Sequence, residues 1–152
     1  MKKSAGILMY RTVDKDLEVL LVHPGGPFWK NKDEGAWSLP KGEFSDDEDP
    51  LDAAKREFEE ETGFRPSGQF IPLPHVKLRS GKTVYAWALE NDIAADKIKS
   101  NEFEMEWPPK SGKKKHFPEV DKAGWFKPAV ARKKINTAQV AFIDALIALL
   151  KM

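Results

Sequence analysis

The sequence predicts a single α+β sandwich domain spanning residues 1–152, on three observations. The length of 152 residues suits one domain with a full hydrophobic core. Several short segments rich in branched and aromatic residues are separated by turn-like stretches, as in a sheet. Two longer segments have helical patterns, and they do not alternate with the strands as regularly as a parallel βαβ fold requires.

A hairpin is predicted at the start of the chain. Its strands are SAGILMYR (4–11) and LEVLLVHP (17–24), and the turn-like TVDKD (12–16) separates them. A polar, glycine-rich loop with two aromatic residues, GGPFWKNKDEG (25–35), follows the hairpin. The next segment, AWSLP (36–40), is typical of a short strand.

The strongest boundary signals mark a helix from Pro50 to Thr62. Asp49 is a typical N-cap, proline suits the first helical position, and Gly63 stands where a left-handed residue ends a helix. The helix also has an apolar stripe, formed by Leu51, Ala54 and Phe58. We therefore expect one face of this helix to pack on the core.

The second half of the chain predicts further strands and a final helix. Strands are expected at 68–74, 75–79, 83–91 and 123–126, and a short helix at 128–135. The stretch 101–120 predicts the end of a strand and a long loop. An amphipathic helix that packs on the core is predicted at the C-terminus, with Asn136 and Gln139 at its capped start.

The composition excludes several classes of protein. Because there is no cysteine, disulfides and thiolate chemistry are excluded, and a cytoplasmic location is the default expectation. No apolar run approaches the ~18–20 residues needed to cross a bilayer. The first apolar run has only six residues, too few for a secretory signal.

The net charge is only +1, but the charged residues are unevenly distributed. Residues 43–61 contain ten acidic and two basic residues, whereas residues 107–134 contain nine basic and two acidic ones. Each block suits a solvated surface. Together, the two blocks also suit a binding site in which the acidic block holds a cation. An anionic ligand would then bridge that cation and the basic block. Charge alone does not choose between these interpretations.

Glu57, Glu60 and Glu61 converge on one face of the predicted helix, because Glu60 and Glu61 follow Glu57 by three and four residues, about one helical turn. Glu59 projects to the opposite side, toward solvent. Like charges at this spacing repel each other and cost stability. Either lysines elsewhere neutralise an exposed acidic face, or the carboxylates hold Mg²⁺ or Mn²⁺, since hard divalent cations prefer oxygen ligands.

The spacing within residues 42–64 favours a metal site. In GEFSDDEDPLDAAKREFEEETGF, five residues separate Gly42 from Glu48, and seven more precede REFEEETGF (56–64). This matches G-x5-E-x7-R-E-U-x-E-E-x-G-U, with U bulky and apolar, at every defined position. A chance match at a given start is on the order of one in 10⁹. The chain therefore resembles the Nudix hydrolase family of MutT-like pyrophosphohydrolases.

This resemblance implies both a fold and a metal site. The fold is an α/β/α sandwich with a mixed β-sheet, the Nudix helix on one side and the C-terminal helix on the other. Glu57, Glu60 and Glu61 become ligands of Mg²⁺ or Mn²⁺, with the backbone carbonyl of Lys41 as a further oxygen.

The remaining motif residues are expected to have structural roles. Arg56 matches the motif arginine, whose natural partner here is Glu48, and this pair orients the helix. Gly42 and Gly63 permit tight turns at the two ends of the motif.

The implied reaction is attack of water on a diphosphate linkage, which requires a base to deprotonate or orient the water. Glu57 and Glu60 are candidate bases within the motif. Many relatives use a downstream carboxylate, for which the chain offers Glu102, Glu104, Glu106 and Glu119. Glu119 is favoured because PEVDKAGWF (118–126) is similar to the family's late segment, in which a glutamate precedes a strand tryptophan.

Candidate substrate contacts lie on both sides of the motif. The entrance WSLPKGE (37–43) looks like that of diadenosine and diphosphoinositol polyphosphate hydrolases. Lys41 and Lys115 are either phosphate contacts or solvated loop lysines. Trp29 and Tyr85 either stack on a base or pack in a loop and a sheet.

The function predicted is Mg²⁺-dependent hydrolysis of a nucleoside diphosphate linked to another moiety, first of all a dinucleoside polyphosphate such as diadenosine tetraphosphate. ADP-ribose, a nucleoside triphosphate and a diphosphoinositol polyphosphate are alternative substrates. A nucleotide-sensing Nudix module without catalysis is an alternative of another class. The expected partner is a small nucleotide, with no nucleic acid or membrane, and the expected state is a monomer or homodimer.

Overall fold

The computed structural model describes residues 2–151 and centres on a six-stranded mixed sheet. The strands are β1 Lys3–Val13, β2 Asp16–Pro24, β3 Lys41–Phe44, β4 Phe70–Lys77, β5 Thr83–Glu90, β6 Glu102–Glu106, β7 Lys114–Pro118 and β8 Val120–Phe126. The helices are α1 Pro50–Thr62, α2 Pro128–Lys134 and α3 Val140–Leu150. In residues 2–151, none of them is long and apolar enough to span a bilayer.

Strand β1 organises the sheet because it pairs with three other strands. The order is β4-β5-β1-β2-β8, with β1 and β5 parallel and the other neighbours antiparallel. The predicted hairpin of β1 and β2 is therefore confirmed. The first residues of β1 pair with β3, which sets Lys41 opposite Gly6. The sheet thus fixes the chain directly before the motif helix.

Each face of the sheet has its own apolar cluster. Helix α1 covers one face with Ala53, Ala54 and Phe58, and α3 covers the other with Phe142, Ile143 and Leu146. All six side chains are fully buried, and burial of the larger ones contributes roughly 1.5–3 kcal/mol each. The predicted α/β/α sandwich, with one helix on each side, is confirmed.

Three predicted segments differ from the structure. Residues 36–40 do not form a strand and make only isolated bridges, Val22–Ser38 and Trp37–Ile135. The two strands predicted at 68–79 are one edge strand, β4, whose prolines are tolerated because its outer side needs no backbone donor.

The third difference is the stretch 101–120, which contains the hairpin β6–β7 as a separate two-stranded sheet. On its exposed face, Glu104 lies 3.6 Å from Lys114 and 3.4 Å from His116. On its other face, the rings of Phe103 and Phe117 lie 6.0 Å apart. These cross-strand pairs explain why a charged segment is ordered.

Candidate metal and catalytic site

Helix α1 presents the acidic motif between two well-defined ends. At its start, the Asp49 side chain accepts a hydrogen bond of 3.1 Å from the Asp52 N–H. At its end, Gly63 has a φ of +80°, and its N–H donates to the Glu59 carbonyl at 2.8 Å. A Cβ at Gly63 would lie 2.9 Å from the Lys99 carbonyl oxygen. This position therefore requires glycine for space as well as for conformation.

The glutamates of α1 divide into exposed and enclosed groups. Glu59 is exposed, and Arg65 lies 3.8 Å away. Glu57 is only 8% exposed, and its Oε2 has no hydrogen-bond partner among residues 2–151. Gly42 makes room for it, because a Cβ there would overlap the Glu57 carboxylate. The Arg56 guanidinium lies 3.6 Å from Oε2 of Glu57, too far for a hydrogen bond. A buried carboxylate oxygen without a hydrogen bond is unfavourable, so a cation bound directly to Glu57 would stabilise the fold.

Arg56 holds two carboxylates at the outer edge of this group. It donates two hydrogen bonds to Glu48, of 2.9 and 3.0 Å, and two from Nη1 to Glu60, of 3.0 and 3.3 Å. The expected Arg56–Glu48 pair is thus present, and it is bidentate. The hydrogen bond from Arg56 holds the pKa of Glu48 below its usual value. The helix is thereby joined to the loop that precedes it.

Burial and like charge raise the pKa values of the enclosed carboxylates. Burial, and then the charge of Glu60, raise the pKa of Glu57 to about 7. Burial, Glu57 and Glu119 raise the pKa of Glu61 to about 9. Burial and Glu60 also raise the pKa of Glu119. The position of Glu119 agrees with this, because Glu119 and Glu61 line the same cavity.

A series of backbone hydrogen bonds positions Glu119. The Asn101 N–H donates to the Glu60 carbonyl at 2.7 Å, and the Glu119 N–H donates to the Asn101 carbonyl at 2.8 Å. The Glu119 carbonyl in turn accepts from the Gly25 N–H at 2.9 Å. The C-terminal end of α1 and the start of β8 are therefore fixed relative to each other.

A cavity of about 180 Å³ opens beside these acids, and we call it the carboxylate pocket. Its polar lining consists of Ser38, Lys41, Glu61 and Glu119. Burial, and then the charge of Lys82, lower the pKa of Lys41. The backbone amide of Lys41 faces the Glu61 carboxylate. One lysine and two of the acids thus border the same space.

The available donors fit a hard divalent cation. They are the carboxylate oxygens of Glu57 and Glu61, which are partly buried and repel each other. In addition, Oε2 of Glu57 has no hydrogen-bond partner among residues 2–151. Across that same part of the chain, no three side chains stand ready in a metal-binding group. Glu60 is instead held by Arg56. The backbone of α1 nevertheless presents Glu57, Glu60 and Glu61 together on one side of the helix.

The downstream base candidates lie in different places. Glu119 lines the carboxylate pocket. Glu104 and Glu106 lie on the exposed face of the hairpin β6–β7, where Glu104 faces Lys114 and His116. Glu102 is also exposed, at the start of β6. Of these four, only Glu119 borders the pocket.

The predicted substrate contacts are also separated in space. The ring of Tyr85 packs beside Phe44 and His75, at 6.2 and 5.5 Å between centroids, and it does not line the carboxylate pocket. Trp29 is 41% exposed in its loop, with the Lys32 ammonium 5.4 Å from its ring. The structure therefore places Tyr85 in the sheet packing and leaves Trp29 outside the pocket.

Lys115 lines a different cavity, together with Lys30 and Trp107. Lys30 and Trp107 are not among the predicted site residues. A signal for Trp107 was present in the sequence, because Phe103, Met105 and Trp107 alternate with glutamates. That alternation places the three apolar side chains on one face of a strand.

Comparisons with known proteins agree with this architecture. The NUDIX domain family model matches residues 2–146. A C. elegans Ap4A hydrolase in a binary complex is 22% identical, with a TM-score of 0.67 and coverage of 99% of this chain and 98% of that one. The NUDIX domain of Shewanella oneidensis NrtR, complexed with ADP ribose, is 19% identical, with a TM-score of 0.67 and coverage of 97% and 87%.

A MutT structure, from work on the Aliivibrio salmonicida and Vibrio cholerae proteins, is 16% identical, with a TM-score of 0.59 and coverage of 97% and 96%. At such identities the solved structures show a common fold. The sequence has no significant match among curated proteins.

Proposed function

The chain belongs to the Nudix hydrolase family of pyrophosphohydrolases, and we propose that it cleaves a diphosphate linkage in a nucleoside diphosphate joined to another moiety. The observation that supports this most is the meeting of Glu61, Glu119 and Lys41 in one pocket, beside the buried Glu57. Enzymes of this family use a divalent cation, for which we propose Mg²⁺. When bound, Mg²⁺ would neutralise phosphate charge and make water more acidic.

Each residue around the pocket has a proposed task. Glu57, Glu60 and Glu61 hold the cation, together with the backbone carbonyl of Lys41. The Lys41 ammonium contacts a phosphate oxygen, since its burial leaves it few water molecules to bind. Arg56 keeps Glu60 in place through the hydrogen bond between them.

Glu119 is the proposed general base. Burial raises its pKa, which makes its carboxylate a better proton acceptor than an exposed one. It takes a proton from the attacking water on a carboxylate oxygen. Glu57 and Glu60 are the alternative bases, but Arg56 already donates to Glu60 and weakens it as an acceptor.

We infer that the substrate is a dinucleoside polyphosphate such as diadenosine tetraphosphate. The Pro40-Lys41-Gly42 entrance and the fold shared with an Ap4A hydrolase support this choice. The carboxylate pocket, at about 180 Å³, is smaller than the roughly 300–1,000 Å³ of typical ligand sites. It therefore suits a run of phosphates whose nucleosides lie outside it.

A substrate panel in Mg²⁺ tests the proposal. Diadenosine tetraphosphate, ADP-ribose, nucleoside triphosphates and a diphosphoinositol polyphosphate are incubated with the enzyme, and the products are separated by ion-exchange chromatography. We expect the highest kcat/KM for diadenosine tetraphosphate. A clear preference for another compound of the panel would identify that compound as the substrate and leave the proposed reaction class unchanged.

Nucleotide sensing without hydrolysis is the second candidate. It is favoured by the fold shared with the NUDIX domain of NrtR, which was crystallised with ADP ribose. The complete set of motif carboxylates in this chain favours hydrolysis. Binding without products across the whole panel would favour the sensor.

A further inference from the structure

A second cavity, which we call the aromatic cleft, lies next to the carboxylate pocket. It has a volume of about 340 Å³, and its lining includes Lys30, Trp107, Lys115, Phe117 and Asp121. The two cavities share one short segment as their common wall. Glu119 and Val120 line the pocket, whereas the residues on either side, Pro118 and Asp121, line the cleft.

One wall of the cleft is the apolar face of the hairpin β6–β7. Phe103 is opposite Phe117 in the register, and Met105 is opposite Lys115, so these four side chains share a face. Trp107 continues the same alternation at the end of β6. The face therefore combines aromatic rings with one ammonium group.

The other wall is the glycine-rich loop, residues 25–35. A Cβ at Gly26 would lie 3.0 Å from the Phe103 ring, so the loop backbone packs directly on the hairpin. The rings of Phe28 and Trp107 meet edge to face, with centroids 5.6 Å apart. Phe28 nevertheless remains 59% exposed. Large exposed aromatic side chains at the rim of a cavity are typical of a binding surface.

A buried histidine holds the loop in position. His23 is fully buried, and its Nε2 lies 2.6 Å from the Lys32 carbonyl. Because a carbonyl only accepts, Nε2 donates this hydrogen bond. The Nδ1 of the same ring lies 2.8 Å from Oδ1 of Asp121 in the cleft. The loop and the start of β8 are therefore joined through one rigid side chain.

We propose that the aromatic cleft binds the nucleoside at one end of the polyphosphate, with the base stacked on Trp107 and its nearest phosphates against Lys30 and Lys115. A stacking surface beside two ammonium groups suits a nucleotide, because bases stack on aromatic rings and phosphates pair with cations. Asp121 supplies an acceptor for a ribose hydroxyl. The inference rests on the proposed function, since it takes the polyphosphate to run from the pocket into the cleft.

An NMR titration tests the cleft without any turnover. The chain has five tryptophans, whose indole N–H groups give separate signals, and Trp107→Phe identifies the one from Trp107. Adenosine 5′-monophosphate is the probe, because it has a base and a phosphate but no diphosphate to cleave. We expect the Trp107 signal to shift most, and ribose 5-phosphate to leave it in place. Shifts at Trp29 with Trp107 unmoved, or equal shifts with ribose 5-phosphate, would overturn the proposal.

Two neighbouring lysines provide matched variants. Lys114 and Lys115 are adjacent in β7 and point to opposite faces, with Lys114 beside Glu104. Lys115→Gln is expected to weaken binding of the probe several-fold, and Lys114→Gln to leave it near the wild-type value. Trp107→Ala is expected to weaken it about tenfold through lost stacking. Equal effects of the two lysine variants would contradict the proposal even if Trp107→Ala does not fold.

Turnover measurements separate this inference from the proposed function. Hydrolysis of diadenosine tetraphosphate without any response of Trp107 to the probe would refute nucleotide binding in the cleft but agree with the proposed function. A response of Trp107 in a protein that hydrolyses no compound of the panel would refute the proposed hydrolytic function but support nucleotide binding in the cleft. We expect both hydrolysis and the Trp107 response.

Discussion

The carboxylate pocket and the aromatic cleft are neighbours, but they are constructed in different ways. Three of the acids in and beside the pocket, Glu57, Glu60 and Glu61, come from one helix, α1, where spacing along the sequence sets their positions. The cleft combines the loop 25–35 with the hairpin β6–β7 and the start of β8, which come much later in the sequence. The proposed metal ligands on α1 are therefore specified by local periodicity, whereas the surface proposed to select the ligand depends on tertiary pairing.

The two regions also differ in their electrostatics. In and beside the pocket, burial and like charge raise the pKa values of Glu57, Glu61 and Glu119, so the acids destabilise one another. In the cleft, the carboxylate of Asp121 has a partner in His23. We therefore expect the pocket to respond strongly to a cation and to charge substitutions, and the cleft to respond to loss of aromatic surface.

The largest effect is expected for Glu61→Gln. The substitution removes a carboxylate that lines the pocket, and we expect turnover to fall by more than the roughly 10–100-fold typical of losing an outer partner of a metal. Steady-state kinetics with diadenosine tetraphosphate measure this. The matched control is Glu59→Gln, because Glu59 is on the same helix but exposed. Full activity of Glu61→Gln would exclude it as a metal ligand.

The next effect is expected for Glu119→Gln. If Glu119 is the base, its loss should lower kcat by about 10²–10⁴-fold, with a much smaller change in KM. A kcat near the wild-type value in this variant would indicate that Glu57 or Glu60 is the general base instead.

A smaller effect is expected for Arg56→Ala. The variant frees Glu48 and Glu60 from their hydrogen bonds, so we expect a loss of activity of roughly 10–100-fold through misplaced carboxylates. Arg65→Ala is the control, since Arg65 is exposed and lies 3.8 Å from Glu59. Similar losses in both variants would indicate a general effect of surface charge.

The boundaries of α1 show how much of the site the sequence predicts. The helix was expected from Pro50 to Thr62 and has these bounds, because a capping aspartate, a first-turn proline and a terminal glycine are local signals. The same regular geometry predicts which glutamates share a face. The roles of these residues stay predictions until variants are assayed.

The hairpin β6–β7 shows what the sequence does not predict. Its segments are short and charged, and they are ordered by partners across the hairpin, such as Glu104 with His116. No local pattern specifies that pairing across a lysine-rich connection. The same reason applies to Tyr85, which suits a stacking site by type but packs beside Phe44 and His75.

The smallest effect is expected for the pH dependence of the stability of the metal-free protein. The pKa of Glu61 is about 9 in the fold, above its ordinary value of 4.5. Between these values the folded chain keeps a proton that the unfolded chain has lost, so the free energy of unfolding falls as pH rises. Glu57, with a pKa of about 7, acts in the same direction.

In EDTA, the melting temperature should therefore fall from about pH 5 to about pH 9, by roughly 2–4 °C for each kcal/mol of stability lost. Glu61→Gln should reduce this slope. A melting temperature that rises across the same interval would contradict the account of the buried acids.

The central claim is that the carboxylates of α1 hold a divalent cation, and calorimetry tests it most directly. Melting temperatures are measured at about pH 8 in EDTA and in excess Mg²⁺ for the wild type, Glu61→Gln and Glu59→Gln. A ligand at 100 times its Kd stabilises the folded state by about 2.7 kcal/mol. We predict that Mg²⁺ raises the melting temperature of the wild type and Glu59→Gln but hardly that of Glu61→Gln. No rise in the wild type, or an equal rise in Glu61→Gln, would contradict the claim.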